Sequence, residues 1–158
     1  MRLHLASRYI PTRVTTGAFI AHSGLGKWSG SPEQASGVHG MAAAAFPVLE
    51  PIPPKVFLKL LAAGEVATGA LLLSPLTSGA LAGTALTGFS GALLTMYWRT
   101  PSMHEPDSIW PTQQGIAVSK DVWMFGIGLG LLADSVTGRR PRRRRRKRSS
   151  LNLPSLSD

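Results

Sequence analysis

The chain has 158 residues, no cysteine and a formal net charge of +9, and 44% of it is hydrophobic. Without cysteine there are no disulfides, thiolate metal sites, iron–sulfur clusters or cysteine nucleophile, so in any redox reaction another molecule carries the electrons. The charge is local. Nine of the seventeen Lys and Arg lie between Arg139 and Arg148, and the other eight balance eight acids. A basic fold surface for specific nucleic-acid binding is therefore not indicated.

A soluble domain of this length would carry charge along the outer faces of its helices. Here long runs lack charge and the helices are apolar all round, the pattern expected where lipid is the solvent. Seventeen glycines agree, because small residues are common where membrane helices pack closely.

Met1–Ile10 carries Arg2 and Arg8 and leads into Pro11. A first membrane helix is predicted over residues 9–27. The alternative is a secretory signal peptide cleaved near Ala21-His22-Ser23, but its uninterrupted apolar core, Gly17–Ala21, is too short. Plotted at helical spacing, Arg13, Gly17, Gly24 and Lys27 fall within about 40° of a common line. A stripe with charges at both ends and glycines between them is a packing face. His22 falls on the opposite side.

Ser29–Lys55 is interrupted at Gly30, Pro32, Gly37, Gly40, Pro47, Pro51, Pro53 and Pro54 and reads as a long outer loop. Its apolar run Met41–Phe46 is too short to span; it is expected to lie at the interface or to form one or two turns. Pro54 suits the start of the next helix.

Val56–Leu73 and Gly79–Trp98, joined by Ser74–Ser78, form the clearest unit. Each is about 27–30 Å long as a helix, the depth of a hydrocarbon core. Glu65 shares its face with Ala62, Thr68 and Gly69. Lys59 points away and can snorkel to the interface, so it is no same-helix partner for Glu65. Gly79, Gly83, Thr87 and Gly91 recur every four residues, a small-residue stripe for close backbone approach. An antiparallel hairpin puts Gly88 at the depth of Glu65, with Thr84, Thr87 and His22 as candidate neighbours. Met96-Tyr97-Trp98-Arg99 is an aromatic and basic interfacial anchor.

Thr100–Gln114 is polar and proline-rich, with Trp110 expected at the membrane surface. A fourth helix is predicted over residues 115–134, with Lys120-Asp121 in its first turns and a small-residue spacing at Gly126 and Gly130. Its charge-free core, Val122–Ala133, is short for a span, so Lys120 must snorkel or be shielded.

Residues 138–158 form a polybasic tail, expected to be disordered and self-repelling. By the positive-inside rule it holds the C-terminus in the cytoplasm. The fold class is thus all-α: a four-helix transmembrane bundle over residues 1–137 with both termini cytoplasmic. The tail residues Arg139, Arg140, Arg142, Arg143, Arg144, Arg145, Arg146, Lys147 and Arg148 are the candidate contacts to anionic lipid, each contributing about 1 kcal/mol.

Glu65 is the leading candidate for function, since a charge at bilayer centre costs roughly 2.5–3.5 kcal/mol on insertion scales. It is either a structural hydrogen-bonding group, protonated or paired with Arg13, or part of a proton, quinone or substrate pathway. No second intramembrane acid is evident to form a relay. Lys120-Asp121 is either a helix start favoured by the dipole or, with Lys27, the outer closure of a central pocket. The four histidines, His4, His22, His39 and His104, are scattered, which argues against a metal site.

Arg13-x3-Gly17-x6-Gly24-x2-Lys27, Glu65-x3-Gly69 with Leu71–Leu73, and Lys120-Asp121 together resemble the DoxX-type small membrane proteins, over Arg13 to Asp134. The long proline-rich loop and the arginine tail depart from that pattern. The resemblance implies a multi-pass four-helix bundle in the plasma (inner) membrane of a bacterium. It also implies association with membrane oxidoreductases, including a quinone-reducing thiosulfate oxidation system and an oxidative-stress complex. The expected role is a membrane subunit or anchor without activity of its own, with a quinone as candidate cofactor and a redox enzyme or a second copy of the chain as candidate partner. The alternatives are a small-solute or lipid-handling protein with a pocket around Glu65, and a structural scaffold recruiting partners through its tail.

Overall fold

A computed structural model describes residues 9–137. The basic tail, with its expected lipid contacts and topological role, lies outside the described residues. The described chain runs α1 (Ile10–Trp28), α2 (Pro32–Ala45), α3 (Pro54–Leu73), α4 (Gly79–Arg99), α5 (Ile116–Ser119) and α6 (Asp121–Thr137).

The ends of these helices follow from short-range chemistry. The Ser31 hydroxyl accepts from the Gln34 backbone N–H at 3.2 Å, and Ser78 accepts from Leu81 N–H at 3.2 Å, each satisfying a first-turn donor. Pro32 and Pro54 open α2 and α3, where a missing N–H costs nothing. At the start of α2, hydrogen bonds from Ser31 and the backbone hold the exposed Glu33 carboxyl below the usual carboxylate range.

Three helical runs among the described residues are long and apolar enough to cross a membrane: Pro54–Leu73, Gly79–Arg99 and Ile116–Thr137. The chain is therefore compatible with a multi-pass integral membrane protein. The predicted hairpin is present, with helices of 20 and 21 residues. The last run is divided at Lys120 into α5 and α6. The first helix also forms, over 19 residues, but by composition it does not join the membrane-capable three.

The helices pack as two antiparallel pairs, α1 on α3 and α4 on α6, joined through the α3–α4 hairpin. Ile20, Leu72, Ala82, Leu86 and Leu131 form one core, to which α1, α3, α4 and α6 all contribute. The outward faces keep large apolar side chains in the open, among them Phe19, Leu25, Leu60, Leu81, Trp123 and Val136. Such exposure in several helices at once suits lipid better than water.

The loop expected over Ser29–Lys55 is largely a helix. α2 has 14 residues and buries Ala35, Ala42 and Ala45, which recur at seven and three residues on one face. Its would-be breakers are harmless: Pro32 sits at the helix start, and Gly37 and Gly40 face open space. Ala42 and Ala45 join Met96, Tyr97 and Met103 in a second core that closes the end of the bundle away from the Ser74–Ser78 turn. Arg99 fastens this cap, donating to the Ala45 carbonyl at 3.1 Å and lying over the Phe46 ring.

Candidate functional site

The α1–α3 seam gathers most of the residues singled out in the sequence. Gly17 lies against the Gly69 carbonyl and Leu72, and Gly24 against the Ala62 carbonyl and Glu65. A Cβ at Gly24 would stand 2.8 Å from that carbonyl oxygen, so glycine is required for the backbones to meet. The stripe Arg13, Gly17, Gly24 is buried, as a packing face should be.

Arg13 ends the seam on one side. It is only 2% exposed. Its guanidinium donates to the carbonyls of Leu72 at 2.9 Å, Leu71 at 2.9 Å, Ser74 at 3.0 Å and Thr77 at 3.1 Å. The last carbonyls of a helix lack intrahelical donors and carry the negative end of its dipole. Arg13 therefore caps α3 and fixes the turn into α4. It does not pair with Glu65, one of the two structural roles expected for that carboxylate.

Glu65 pairs with Lys27 instead, Nζ to Oε2 at 3.0 Å. Lys27 also donates to Ser23 Oγ at 2.6 Å. The partnership has a geometric cause. Helical side chains lean toward their own N-terminus, so in antiparallel helices Lys27 and Glu65 lean toward one another from about a turn apart. Ala62, Thr68 and Gly69 are buried on the same face as Glu65, and Lys59 is exposed, as expected. Thr84, Gly88 and His22 are also exposed; they are not neighbours of Glu65, because these positions turn to the outside of their helices.

Asp121 supplies the second acid that the sequence did not reveal as one. It is half-buried at the start of α6 and lies within electrostatic reach of both Glu65 and Lys27. Two carboxylates thus lie within electrostatic reach of one ammonium group, which pairs with Glu65, so one negative charge is left over when both are ionised. Such a group can hold a proton or bind a cationic group. Its neighbour Lys120 points the other way, onto the rim of a cavity between α4 and α6. The Lys120-Asp121 pair is therefore split between an inner and an outer environment.

The α4–α6 seam is built differently. Gly79, Gly83 and Gly91 of the predicted stripe face Leu131, Gly128 and Phe125. On α6 the close approach is made by Gly128, not by Gly126 and Gly130, which meet nothing within 4 Å. The predicted spacing chose the wrong side of the helix: Gly128 lies two residues from each, on the opposite face. Thr87 Oγ1 is buried in this seam without a hydrogen-bond partner and lies against Gly128, where a weak Cα–H contact is its available interaction.

Among the described residues no group of three or more His, Asp or Glu is placed to hold a metal ion. No family model, curated protein or solved structure matches the chain.

Proposed function

We propose that the chain is a DoxX-like integral membrane protein of four spans, serving as a membrane subunit or anchor for an oxidoreductase of the plasma membrane, quinone-linked or tied to oxidative stress. One observation carries the four-span reading: both charges of α1 are satisfied inside the bundle. Arg13 is spent on α3 carbonyls and Lys27 on Glu65. A helix whose charges are paired inward can present Phe19 and Leu25 to lipid, which lowers the cost of placing it in a membrane. Of the residues that suggest the resemblance, Arg13, Gly17, Gly24, Lys27, Glu65 and Gly69 meet along α1 and α3, with Asp121 in electrostatic reach, and Lys120 stands apart; this supports reading all but Lys120 as one constellation.

Four spans put both termini on the same side, and the arginine tail favours the cytoplasm. The same tail would then meet anionic lipid on that leaflet. Glu65 is, in this reading, held by Lys27 as part of the frame. Asp121 favours a second reading, in which the Lys27–Glu65–Asp121 group receives a small cationic solute or a proton.

Purification of the full chain in mild detergent separates the two. Co-purification of a redox enzyme, with quinone reduction that falls when the chain is deleted, is the expected result. An isolated chain whose loss leaves quinone reduction and oxidant sensitivity unchanged overturns the subunit reading. Under the second reading Glu65→Gln abolishes solute uptake or proton movement in proteoliposomes; under the first it alters assembly only.

A further inference from the structure

Beyond the interior charges, the chain carries a built cavity at the end of the bundle farthest from Arg13. It has a volume of about 500 Å³, within the range of small-molecule sites. Leu94, Tyr97, Trp98, Trp110 and Trp123 make its apolar wall and Lys120 stands on its rim. Three of the four tryptophans of the chain converge here, although Trp98, Trp110 and Trp123 are each more than 60% exposed.

The wall is fixed in place by the loop after α4. Tyr97 donates its hydroxyl to the Ile109 carbonyl at 2.9 Å, and Glu105 N–H donates to the Trp110 carbonyl at 2.9 Å. His104 stacks on Trp98 with ring centroids 5.6 Å apart. Between them Pro106 and Asp107 make a tight turn, Asp107 at a positive φ of 54°, closed by Ser108 N–H on the Glu105 carbonyl at 3.1 Å. This is the geometry of a type II turn. Such a loop presents Trp110 as a standing wall.

Charge decides what fits. Lys120 has no ion-pair partner among the described residues, because the adjacent Asp121 turns inward. The nearby acid Asp107 lines a separate cavity beyond Trp98, with His104. One free ammonium group above an aromatic slot at the end of membrane-length helices matches a negative headgroup above an acyl chain. Aromatic rings of this kind sit at headgroup level in a bilayer.

We propose that this cavity is a binding site for one anionic phospholipid, its headgroup on Lys120 and the start of an acyl chain between Trp98 and Trp123. The site rests on the membrane reading and is independent of any oxidoreductase partner.

The test is quenching of tryptophan fluorescence in the full chain reconstituted into phosphatidylcholine vesicles, with brominated phosphatidylglycerol or brominated phosphatidylcholine at equal mole fraction. Stronger quenching by the anionic lipid is expected, with an apparent preference of about fivefold, the effect of one lysine near a headgroup. That preference is lost in Lys120→Gln and kept in Lys120→Arg. Equal quenching by both lipids overturns the site and leaves an ordinary aromatic belt. A preference that survives Lys120→Gln also overturns it, assigning the selectivity to the basic tail. Saturable quenching by a soluble quinone that the brominated anionic lipid cannot reduce identifies a different occupant and overturns it too. A chain that never inserts into the vesicles overturns the membrane reading and the site together.

Discussion

The two helix pairs solve one packing problem with different chemistry. In both, glycine lets one backbone touch the other: Gly17, Gly24 and Gly69 in the α1–α3 seam, Gly83 and Gly128 in the α4–α6 seam. The first seam is bounded by charge, with Arg13 at one end and Lys27–Glu65 toward the other. The second contains no ion pair among the described residues and leaves a threonine hydroxyl unpartnered. Close approach therefore does not depend on charge. What the charges add in α1–α3 is register, since four carbonyls and one carboxylate must meet their donors at the same time.

The largest effect is expected where that register is broken. Lys27→Met leaves Glu65 buried, at 8% side-chain exposure, without its partner. Removing one member of a buried pair costs about 3–5 kcal/mol, toward the lower figure here because Lys27 remains 21% exposed. Thermal unfolding in mild detergent should show a large drop in midpoint for Lys27→Met and recovery of most of it in Lys27→Met with Glu65→Leu, a positive coupling in the double-mutant cycle. No recovery would mean that Lys27 acts on Asp121 more than on Glu65.

A smaller effect separates glycine contact from charge. Gly128→Ala drives a Cβ into Thr87, 2.9 Å from its backbone nitrogen, and overpacking of this kind costs about 1–3 kcal/mol. Gly24→Ala meets the Ala62 carbonyl at a similar distance and also pushes on Glu65, 2.9 Å from its Cβ. By displacing Glu65 it also disturbs the pair with Lys27, so it should cost more in the wild type than once Lys27 and Glu65 are both apolar, while Gly128→Ala should cost the same in both backgrounds. Equal losses for Gly24→Ala in both backgrounds would show that the ion pair does not set the α1–α3 spacing.

Periodicity made the face of α1, the hairpin and the α4 stripe legible, because each depends on one helix alone. Partnership was not legible. Lys27 and Glu65 stand 38 residues apart, and their meeting depends on an antiparallel register set by Arg13 and by glycines on both helices. The Lys120-Asp121 pair, with an outer closure beside Lys27 as one of its two expected roles, stays open for the same reason: nothing local says which of the two turns inward. α2 forms where a loop is expected for a local reason: Pro in the first turn and Gly on an open face do not break a helix. Ser31 and Pro32 are start signals, and the Ala35–Ala42–Ala45 face was visible beside them.

The smallest effect concerns the face of α6 that the seam does not use. Gly126 is exposed and a Cβ there would meet nothing within 4 Å, so Gly126→Ala carries no steric cost and gains helix propensity, up to about 1 kcal/mol. Its unfolding midpoint should rise slightly, while that of Gly128→Ala, two residues along the same helix, falls. A fall for Gly126→Ala as well would reveal a neighbour on that face, most simply a second copy of the chain packed against the glycines that α4 leaves free.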